Sequence, residues 1–333
     1  MMSKTAFVTG ATGFVGRHLI AHLRQQDWQV RALARNPDKF DALFGGEPSV
    51  ERIAGDLTDK DALRRGLADC DLLFHVAGVT KAAFTDEYYR INHQGTAFLY
   101  EQVRELQPAL AKIVHVSTLA AVGPAASSRP PAEFPEPRPI SHYGRSKLLG
   151  EEEARRLMAD YPLTIIRPPA VFGPADTDVL MFFKMVSRGI LPLIGGDDKL
   201  VSLIYVEDLA MALLAAALSP ATTGRTYFVC YDEPFRWKEL GALAARILTR
   251  QVRCIAFPHL LTRTVGILSE FIHRIAGRAT KLNQDTTREM TQSYWICSNE
   301  RAREDFNFRP HFPIEEAFAK TISWYQEHGQ LSR

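Results

Sequence analysis

The sequence has few cysteines, no dense cluster of basic residues and no motif that would bind a structural metal ion. Its four cysteines lie far apart and form no CxxC pair, which argues against a zinc site and against a disulfide framework. We therefore expect reduced thiols and no bound metal. The formal net charge is only +2, so nothing in the composition favours nucleic acid as a partner.

Long apolar stretches are also missing. The longest run, from Leu209 to Leu218, is too short to cross a bilayer, which needs ~20 residues. The opening residues, MMSKTAFVTG, have no apolar core of the signal-peptide type. We therefore expect a cytoplasmic protein. Apolar residues make up 46% of the chain and charged residues 23%, the balance of an ordinary globular protein.

Strand-like apolar runs alternate with helix-length segments through the first half of the chain. The strand candidates are 6–9, 29–33, 49–54, 71–76, 112–117 and 163–167. This alternation predicts an α/β fold with a doubly wound parallel sheet, the Rossmann arrangement. We assign residues 1–170 to a dinucleotide-binding domain. Residues 171–333 are assigned mainly to a smaller C-terminal substrate-binding lobe that is interleaved with the sheet.

The N-terminal segment FVTGATGFVGRHLI has the order strand, glycine turn, helix. Small residues allow the backbone to approach a pyrophosphate closely, and the following helix directs its positive end at that charge. Glycines alone also make plain turns, but the flanking strand and helix supply the context that cofactor binding requires. The predicted cofactor contacts in this segment are Gly10, Thr12, Gly13, Phe14, Val15 and Gly16.

The end of the second strand favours NADP(H) over NAD(H). The segment VRALARNP has no carboxylate to bind the adenosine ribose, and Arg35 offers a planar guanidinium suited to a 2′-phosphate. Arg31 is a second candidate, and solvated arginines at a strand edge are the alternative interpretation. NAD(H) remains the other cofactor considered. Further predicted cofactor contacts follow the third and fourth strands, at Asp56, Leu57, Val76, Ala77 and Gly78.

The candidate catalytic pair is Tyr143 and Lys147, which form a YxxxK motif. Residues four apart share one face of a helix, and a nearby ammonium lowers the pKa of a phenol, so that tyrosine can exchange protons. Ser117 and Thr118 follow an apolar strand, where a hydroxyl would face the ligand crevice. The hydroxyls of Ser117 and Thr118 are equally compatible with a plain strand end. The proline-rich stretch from Gly123 to Ile140 is predicted to be an active-site loop.

Taken in order, TGATGFVG, GDL, HVAG, NHQGT, VSTLAAVG, YGRSK, RPPAVFGP and YVEDLA resemble the extended short-chain dehydrogenase/reductase superfamily. The resemblance implies that Tyr143 is the acid/base, that Lys147 activates it and anchors the ribose, and that Thr118, with Ser117 as the fallback, is the catalytic hydroxyl. It also implies a scaffold role for Asn92. It further implies cofactor contacts at Tyr143, Lys147, Pro168 and Val171.

The same resemblance leaves two reaction classes open. One branch reduces ketones or oxidises alcohols with NADP(H), as dihydroflavonol-reductase-like and 3β-hydroxysteroid-dehydrogenase-like enzymes do. The other, with bound NAD, epimerises or dehydrates nucleotide sugars. Members of this branch usually carry an arginine seven residues before the aspartate of the VxD motif, and this arginine binds the pyrophosphate of the sugar nucleotide. Here that slot is Val201, with Lys199 nearby. We therefore favour an NADP(H)-dependent oxidoreductase, with a nucleotide-sugar epimerase/dehydratase as the alternative and a catalytically inactive member as a third class.

The substrate is expected to be a hydrophobic small molecule. Apolar residues cluster at Val179 to Met185, Ile190 to Ile194 and Ile255 to Ile275, where they form either core or a pocket wall. Arg263, Arg274 and Arg278 also allow a peripheral contact with a membrane. Dimers are common in the family that the sequence resembles, and a homodimer is therefore one assembly to consider.

Overall fold

The computed structural model describes residues 4–131, 136–194, 199–257 and 284–332. Most of the predicted apolar stretch from Ile255 to Ile275 lies outside the described residues. The three arginines of the predicted membrane contact (Arg263, Arg274 and Arg278) also lie outside them, as do residues 132–135 of the proline-rich stretch.

The fold is built on a fully parallel sheet of seven strands. The strands of the described chain are β1 (Thr5–Thr9), β2 (Gln29–Ala34), β3 (Val50–Ala54), β4 (Leu72–His75), β5 (Lys112–Val116), β6 (Leu163–Arg167), β7 (Ala170–Phe172), β8 (Ile190–Ile194), β9 (Leu200–Val201), β10 (Leu203–Tyr205), β11 (Thr226–Phe228), β12 (Phe235–Arg236), β13 (Arg253–Phe257) and β14 (Tyr294–Trp295). The large sheet has the order β11-β6-β5-β4-β1-β2-β3. The predicted doubly wound α/β fold is thereby confirmed.

Helices lie between consecutive strands, because parallel neighbours in a sheet must be joined by a crossover connection. The α-helices are α1 (Phe14–Gln25), α2 (Pro37–Phe44), α3 (Lys60–Leu67), α4 (Thr85–Tyr89), α5 (Gly95–Leu106), α6 (His142–Leu157), α7 (Leu180–Ser187), α8 (Val206–Leu218), α9 (Trp237–Ile247), α10 (Gln284–Met290), α11 (Glu300–Phe306) and α12 (Ile314–Glu327). A π-helical turn, Arg90–Gln94, links α4 to α5.

Both faces of the large sheet are covered, and this is why its strands are apolar on both sides. One face packs against α1, α2 and α8 through buried residues such as Leu19, Phe40 and Leu213. The opposite face packs against α3, α5 and α6 through residues such as Leu63 and Tyr100. The carboxyl ends of all seven strands therefore open at one edge, where an α/β sheet binds its ligands.

The C-terminal half contributes β11 to the large sheet and forms a core of its own. Phe183 of α7 is fully buried and packs on Phe318 and Tyr325 of α12. In the apolar stretch Val179 to Met185, therefore, Phe182 and Phe183 belong to the core, whereas Met181 remains half exposed. Within the described ranges, no helix combines the length and the apolar character needed to cross a membrane.

Candidate active site

The glycine turn between β1 and α1 is packed tightly against the end of β4. Gly10 has a left-handed φ of +71°, and a Cβ on it would lie 2.6 Å from the amide nitrogen of Ala77. A Cβ on Gly16 would overlap the carbonyl oxygen of Gly10. Gly10 and Gly16 are thus required by close backbone approach, and the turn places Ala77 beside the start of α1.

The first turn of α1 is left open to an anion. The helix begins after Gly13, which supplies no side-chain cap, and its first turn holds no acidic residue. The first amide groups of a helix lack partners within the helix, so an uncapped end offers its N–H groups and its positive dipole to a bound phosphate. Phe14 and Val15 lie half-buried in this turn, with the Phe14 ring against His18.

Arg35 lies exposed at the carboxyl end of β2. The next residue, Asn36, caps α2 by accepting a hydrogen bond from the amide of Lys39. A second guanidinium is close, because Arg52 of β3 donates to the carbonyl oxygen of Arg35 over 3.3 Å. The Nε of Arg52 is buried and has no hydrogen-bond partner among the described residues. Arg52 was not predicted from the sequence, because it lies within a strand.

Asp56 lies close to Arg35, at the end of the neighbouring strand β3. Hydrogen bonds from the hydroxyl and amide of Thr58 lower the pKa of Asp56, and the charge of Arg35 contributes in the same direction. Leu57, the next residue, is buried against Gly95 of α5. Asp56 is therefore ionised at neutral pH and keeps its position at the edge of the sheet.

Arg31, the second candidate for the 2′-phosphate, is bound elsewhere. Its guanidinium donates to the carbonyl oxygen of Ala68, after the end of α3, and pairs with Glu51 over 3.5 Å. Arg31 points away from the carboxyl end of β2 because it belongs to the first half of that strand. The expectation that Arg31 assists Arg35 is therefore wrong.

The end of β4 combines a buried histidine with small residues. His75 is fully buried between the hydroxyls of Thr9 and Thr96, each 2.8 Å from a ring nitrogen. Burial lowers the pKa of His75 to about 3, so the ring is neutral and structural. Just beyond it, the amide of Ala77 donates to the Thr9 hydroxyl over 3.3 Å.

Thr118, Tyr143 and Lys147 converge beyond the carboxyl end of β5. The hydroxyl of Thr118 acts on the phenol of Tyr143 and lowers its pKa. Lys147, one turn further along α6, is 4% exposed and donates to the carbonyl oxygen of Val116 over 2.7 Å. Ser117 faces a different group, since its hydroxyl donates to Glu151 over 2.5 Å. Of the two candidate hydroxyls, Thr118 is therefore the one that contacts Tyr143.

Asn92 connects α6 to the loop after β4. Its amide nitrogen donates to the carbonyl oxygen of Val79 and to the hydroxyl of Ser146, at 3.0 and 2.9 Å, while its oxygen accepts from the amide of Val79 at 2.8 Å. A Cβ on Gly78 would lie 3.1 Å from the Asn92 oxygen and 3.6 Å from the Lys147 ammonium nitrogen. Asn92 thus holds Gly78 and Lys147 close together.

Tyr143 is kept protonated by its surroundings. Burial raises the pKa of the phenol well above its ordinary value, and the negative charges of Glu289 and Asp178 raise it further. The hydrogen bond with Thr118 lowers the pKa but does not offset burial. The prediction of a net lowered pKa for Tyr143 is therefore wrong, because the YxxxK spacing carries no information about desolvation.

Lys147 is affected by burial in the opposite way. Desolvation lowers the pKa of its ammonium group to about 8, against the opposing influence of Glu151. The group remains mostly protonated at neutral pH. Lys147 follows Tyr143 by one turn of α6, so the two side chains lie on the same face of the helix.

A buried ion pair that the sequence did not reveal lies beneath Lys147. Glu151 is fully buried and accepts two hydrogen bonds from Arg167 of β6, at 2.8 and 2.6 Å. Arg155 adds a third, at 2.7 Å. Tyr143, Lys147 and Glu151 form an i, i+4, i+8 ladder on α6, and this spacing is the one sequence signal that could have indicated Glu151.

The segment after β6 passes directly over this site. The carbonyl oxygen of Pro168 accepts a hydrogen bond of 2.8 Å from the amide of Leu119, the residue after Thr118. Val171 of β7 is half-buried against the core beneath α1. From the proline-rich stretch, the amide of Arg138 bonds to the carbonyl oxygen of Val122. The backbone around Pro168 is thereby fixed next to Thr118.

Val201 occupies the position, seven residues before Asp208, at which nucleotide-sugar enzymes usually carry an arginine, and it is apolar and buried. Val201 is 7% exposed. Lys199 is 9% exposed, and its ammonium donates to the carbonyl oxygen of Met290 over 2.7 Å. This bond places the lysine at the C-terminus of α10, where helix carbonyls lack partners. The ammonium group of Lys199 is therefore bound to the end of α10.

Comparison with known proteins places this geometry in a family. Residues 6–230 match the model of the NAD dependent epimerase/dehydratase family. A ceramide reductase from Caulobacter vibrioides is 30% identical over 98% of this chain and 96% of its own length. A 2-alkyl-3-oxoalkanoate reductase from Shewanella oneidensis is 26% identical over 95% and 84% of the two chains. The crystal structure of UDP-glucuronic acid 4-epimerase from Bacillus cereus in complex with NAD has a TM-score of 0.74 and 18% identity, over 97% of this chain and 99% of that one.

The family match covers more than half of the chain and includes the glycine turn, the end of β4 and the segment that carries Tyr143 and Lys147. The expectation of an NAD(P)-dependent enzyme of the extended short-chain dehydrogenase/reductase type is confirmed. The chain belongs to the NAD dependent epimerase/dehydratase family.

Proposed function

We propose that the chain is an NADP(H)-dependent oxidoreductase that interconverts a ketone or aldehyde with an alcohol, on a hydrophobic small molecule. The observation that carries this proposal is the convergence of Thr118, Tyr143 and the buried Lys147 beyond the carboxyl end of β5. Because Tyr143 stays protonated at neutral pH, it is suited to donate a proton to a carbonyl oxygen.

The residues around the glycine turn fit a dinucleotide. The open first turn of α1 would hold the pyrophosphate, and the close packing of Gly10 on Ala77 leaves only backbone beside it. Asp56 is ionised and could accept a hydrogen bond from the adenine amino group. Lys147, 3.6 Å from a Cβ position on Gly78, would anchor the nicotinamide ribose.

The choice of NADP(H) depends on the end of β2. Arg35 is exposed there, Arg52 lies against its carbonyl oxygen, and the side chain after it is the neutral Asn36. Two guanidinium groups favour a 2′-phosphate, which a carboxylate at this position would repel. Arg52 is thus added to the predicted cofactor contacts.

Three side chains would act on the substrate. Thr118 orients the carbonyl oxygen, and Tyr143 donates its phenolic proton to that oxygen as the carbonyl carbon accepts a hydride. When bound, the nicotinamide supplies this hydride. Lys147 holds a positive charge next to the resulting phenolate, and this charge stabilises it until it regains a proton from solvent.

The surroundings of Tyr143 favour a substrate without a pyrophosphate group. The carboxylates of Glu289 and Asp178 act on the phenol, and the same charges would repel a pyrophosphate. Val201 is apolar and Lys199 is bonded to α10, so neither is placed to grip a sugar nucleotide. The reductase names of the relatives from Caulobacter and Shewanella agree with a carbonyl on a hydrophobic molecule.

The second candidate function is that of an NAD-dependent nucleotide-sugar epimerase/dehydratase. It is favoured by the family description and by the fold shared with UDP-glucuronic acid 4-epimerase. Tyrosine and lysine of the same motif would serve that chemistry equally well, so the catalytic pair does not separate the two functions.

The discriminating experiment measures cofactor exchange and substrate choice together. Purified protein is analysed for copurifying nucleotide, titrated with NADPH and NADH, and assayed with long-chain 3-oxo esters and, in parallel, with UDP-glucose and UDP-glucuronic acid. Preferential binding of NADPH and its oxidation by the keto esters support the proposed function. Tightly held NAD⁺ with conversion of a UDP-sugar would overturn it and establish the second candidate.

A further inference from the structure

Two carboxylates of the C-terminal half bind the beginning of the helix that carries Tyr143. Asp285 of α10 accepts a hydrogen bond of 2.6 Å from the amide of His142. Glu289, one turn later, accepts one of 2.5 Å from the hydroxyl of Ser141. Ser141 is the N-cap of α6 and also accepts from the amide of Gly144 at 3.0 Å. The two residues that the carboxylates contact, Ser141 and His142, therefore stand immediately before Tyr143.

Helix α10 is held in this position from its other end. The indole nitrogen of Trp295 donates to the carbonyl oxygen of Glu289 over 2.8 Å. Lys199 donates to the carbonyl oxygen of the next residue, Met290, over 2.7 Å. The carboxyl group of Glu289 is thus fixed by contacts at its backbone and its side chain, and its placement near the phenol is built into the fold.

We propose that Glu289 is a positioning residue of the active site, which fixes the start of α6 through Ser141 and, by its charge, determines how readily Tyr143 releases its proton. The inference rests on the proposed role of Tyr143 as the acid. Glu289 lies in the C-terminal half of the chain, 146 residues after Tyr143. The proposal therefore makes proton release from Tyr143 depend on a residue from the other half of the protein.

The charge of Glu289 changes near neutral pH. Burial raises the pKa of its carboxyl group to about 7, the charge of Asp285 raises it as well, and the hydrogen bond from Ser141 opposes them. Asp285 is itself 4.0 Å from Arg288, and His142 bonds to the hydroxyl of Tyr89. Above pH 7 an ionised Glu289 opposes formation of the Tyr143 phenolate, and at lower pH this opposition is removed.

The test follows the ionisation of the phenol itself and needs no substrate. A trifluorinated tyrosine, which is more acidic than tyrosine, is incorporated at position 143 alone, and its fluorine resonances are followed against pH. In Glu289→Gln the amide oxygen can still accept from Ser141, but the charge is lost. The pH midpoint of the phenol is expected to fall by roughly 0.5–1.5 units.

Two further variants separate charge from packing. Glu289→Asp keeps the charge while shortening the side chain, so its midpoint is expected near that of the parent protein. Glu316→Gln removes a carboxylate from the exposed face of α12, where it pairs with Lys320, and is expected to leave the midpoint unchanged. An unshifted midpoint in Glu289→Gln, or an equal shift in Glu316→Gln, overturns the inference. A failure of the functional proposal itself would be recognised separately, because turnover would then be unchanged in Tyr143→Phe.

Discussion

The ammonium group of Lys147 donates a hydrogen bond to the carbonyl oxygen of Val116, 2.7 Å away at the end of β5. This bond ties α6 to the strand whose continuation carries Thr118. It also holds a positive charge in a buried place, where burial lowers the pKa of Lys147 to about 8. Because burying this charge is unfavourable, we expect Lys147 to lower the free energy of unfolding while it contributes to catalysis.

Replacing Lys147 by methionine should therefore reduce turnover and increase stability. We expect kcat to fall at least ~100-fold, because the phenolate loses its neighbouring charge, and the free energy of unfolding at pH 7 to rise by roughly 1–3 kcal/mol. The measurements are steady-state kinetics and urea denaturation of both proteins.

The pH dependence of this gain has a definite sign. The folded-state pKa of about 8 lies below the ordinary 10.5, so the folded protein binds the proton more weakly than the unfolded chain does. The destabilisation caused by the buried ammonium of Lys147 has its full value below pH 8, decreases between pH 8 and 10.5, and disappears above pH 10.5. A methionine variant that is less stable than the parent protein at pH 7 would show that the Val116 bond outweighs the desolvation.

Tyr143→Phe tests the acid directly. The ring is retained, so cofactor affinity should change less than about threefold, whereas turnover should fall by roughly 10²–10⁴-fold because the proposed proton donor is removed. The matched control is Tyr161→Phe, whose hydroxyl bonds to the carbonyl oxygen of Val103 away from the site. Comparable turnover in the Tyr143 variant and the control would remove Tyr143 from the mechanism.

Six of the seven strands of the large sheet could be predicted because each is a mainly apolar run between turns, whereas β11 was not among the predicted strands. The predicted run from Leu163 to Arg167 is reproduced in full, and the others deviate by a residue or two at their ends. The small sheets of the C-terminal half could not be predicted. Strands such as β9 and β14 are two residues long and are stabilised by partners far away in the chain.

Within the site, the spacing of residues in the sequence predicted which side chains lie together, but it could not predict how strongly they are desolvated. The spacing of Tyr143 and Lys147 and the hydroxyl at a strand end were sufficient to predict which side chains converge. The direction of the pKa shift of Tyr143 depends on burial and on Glu289, 146 residues away, and no motif encodes either. Arg31 and Arg35 look alike in the sequence, but only their positions along β2 decide which of them reaches the edge of the sheet.

Arg35→Ala should weaken binding of NADPH selectively. Loss of a charge-assisted contact with the 2′-phosphate is expected to raise the Kd for NADPH roughly 10–100-fold, while the Kd for NADH, which lacks this phosphate, stays within about twofold. The control is Arg64→Ala, an exposed arginine of α3. Both dissociation constants can be measured by fluorescence titration. Equal losses for the two cofactors in Arg35→Ala would exclude a 2′-phosphate contact.

The buried pair of Glu151 and Arg167 should contribute to stability only as a pair. Glu151→Gln leaves the Arg167 guanidinium, 2% exposed, without a counter-charge, and the expected loss in the free energy of unfolding at pH 7 is about 3–5 kcal/mol. The double variant Glu151→Leu with Arg167→Met removes both charges and should be less destabilised than Glu151→Gln alone. Glu105→Gln, which breaks the exposed pair with Lys60, should change nothing measurable.

Acidification provides an independent check on this pair. Burial of Glu151 raises the pKa of its carboxyl group, but the hydrogen bonds and charge of Arg167 outweigh burial, and the net pKa is lowered. A depressed carboxyl pKa gives stability that is present above the unfolded-state value of ~4.3 and is lost as the pH falls through the folded-state value. The difference in unfolding free energy between the parent protein and Glu151→Gln should therefore be constant from pH 6 to 8 and should shrink below pH 4. A difference that stays constant into strong acid would mean that packing, and not the charge of Glu151, accounts for the loss.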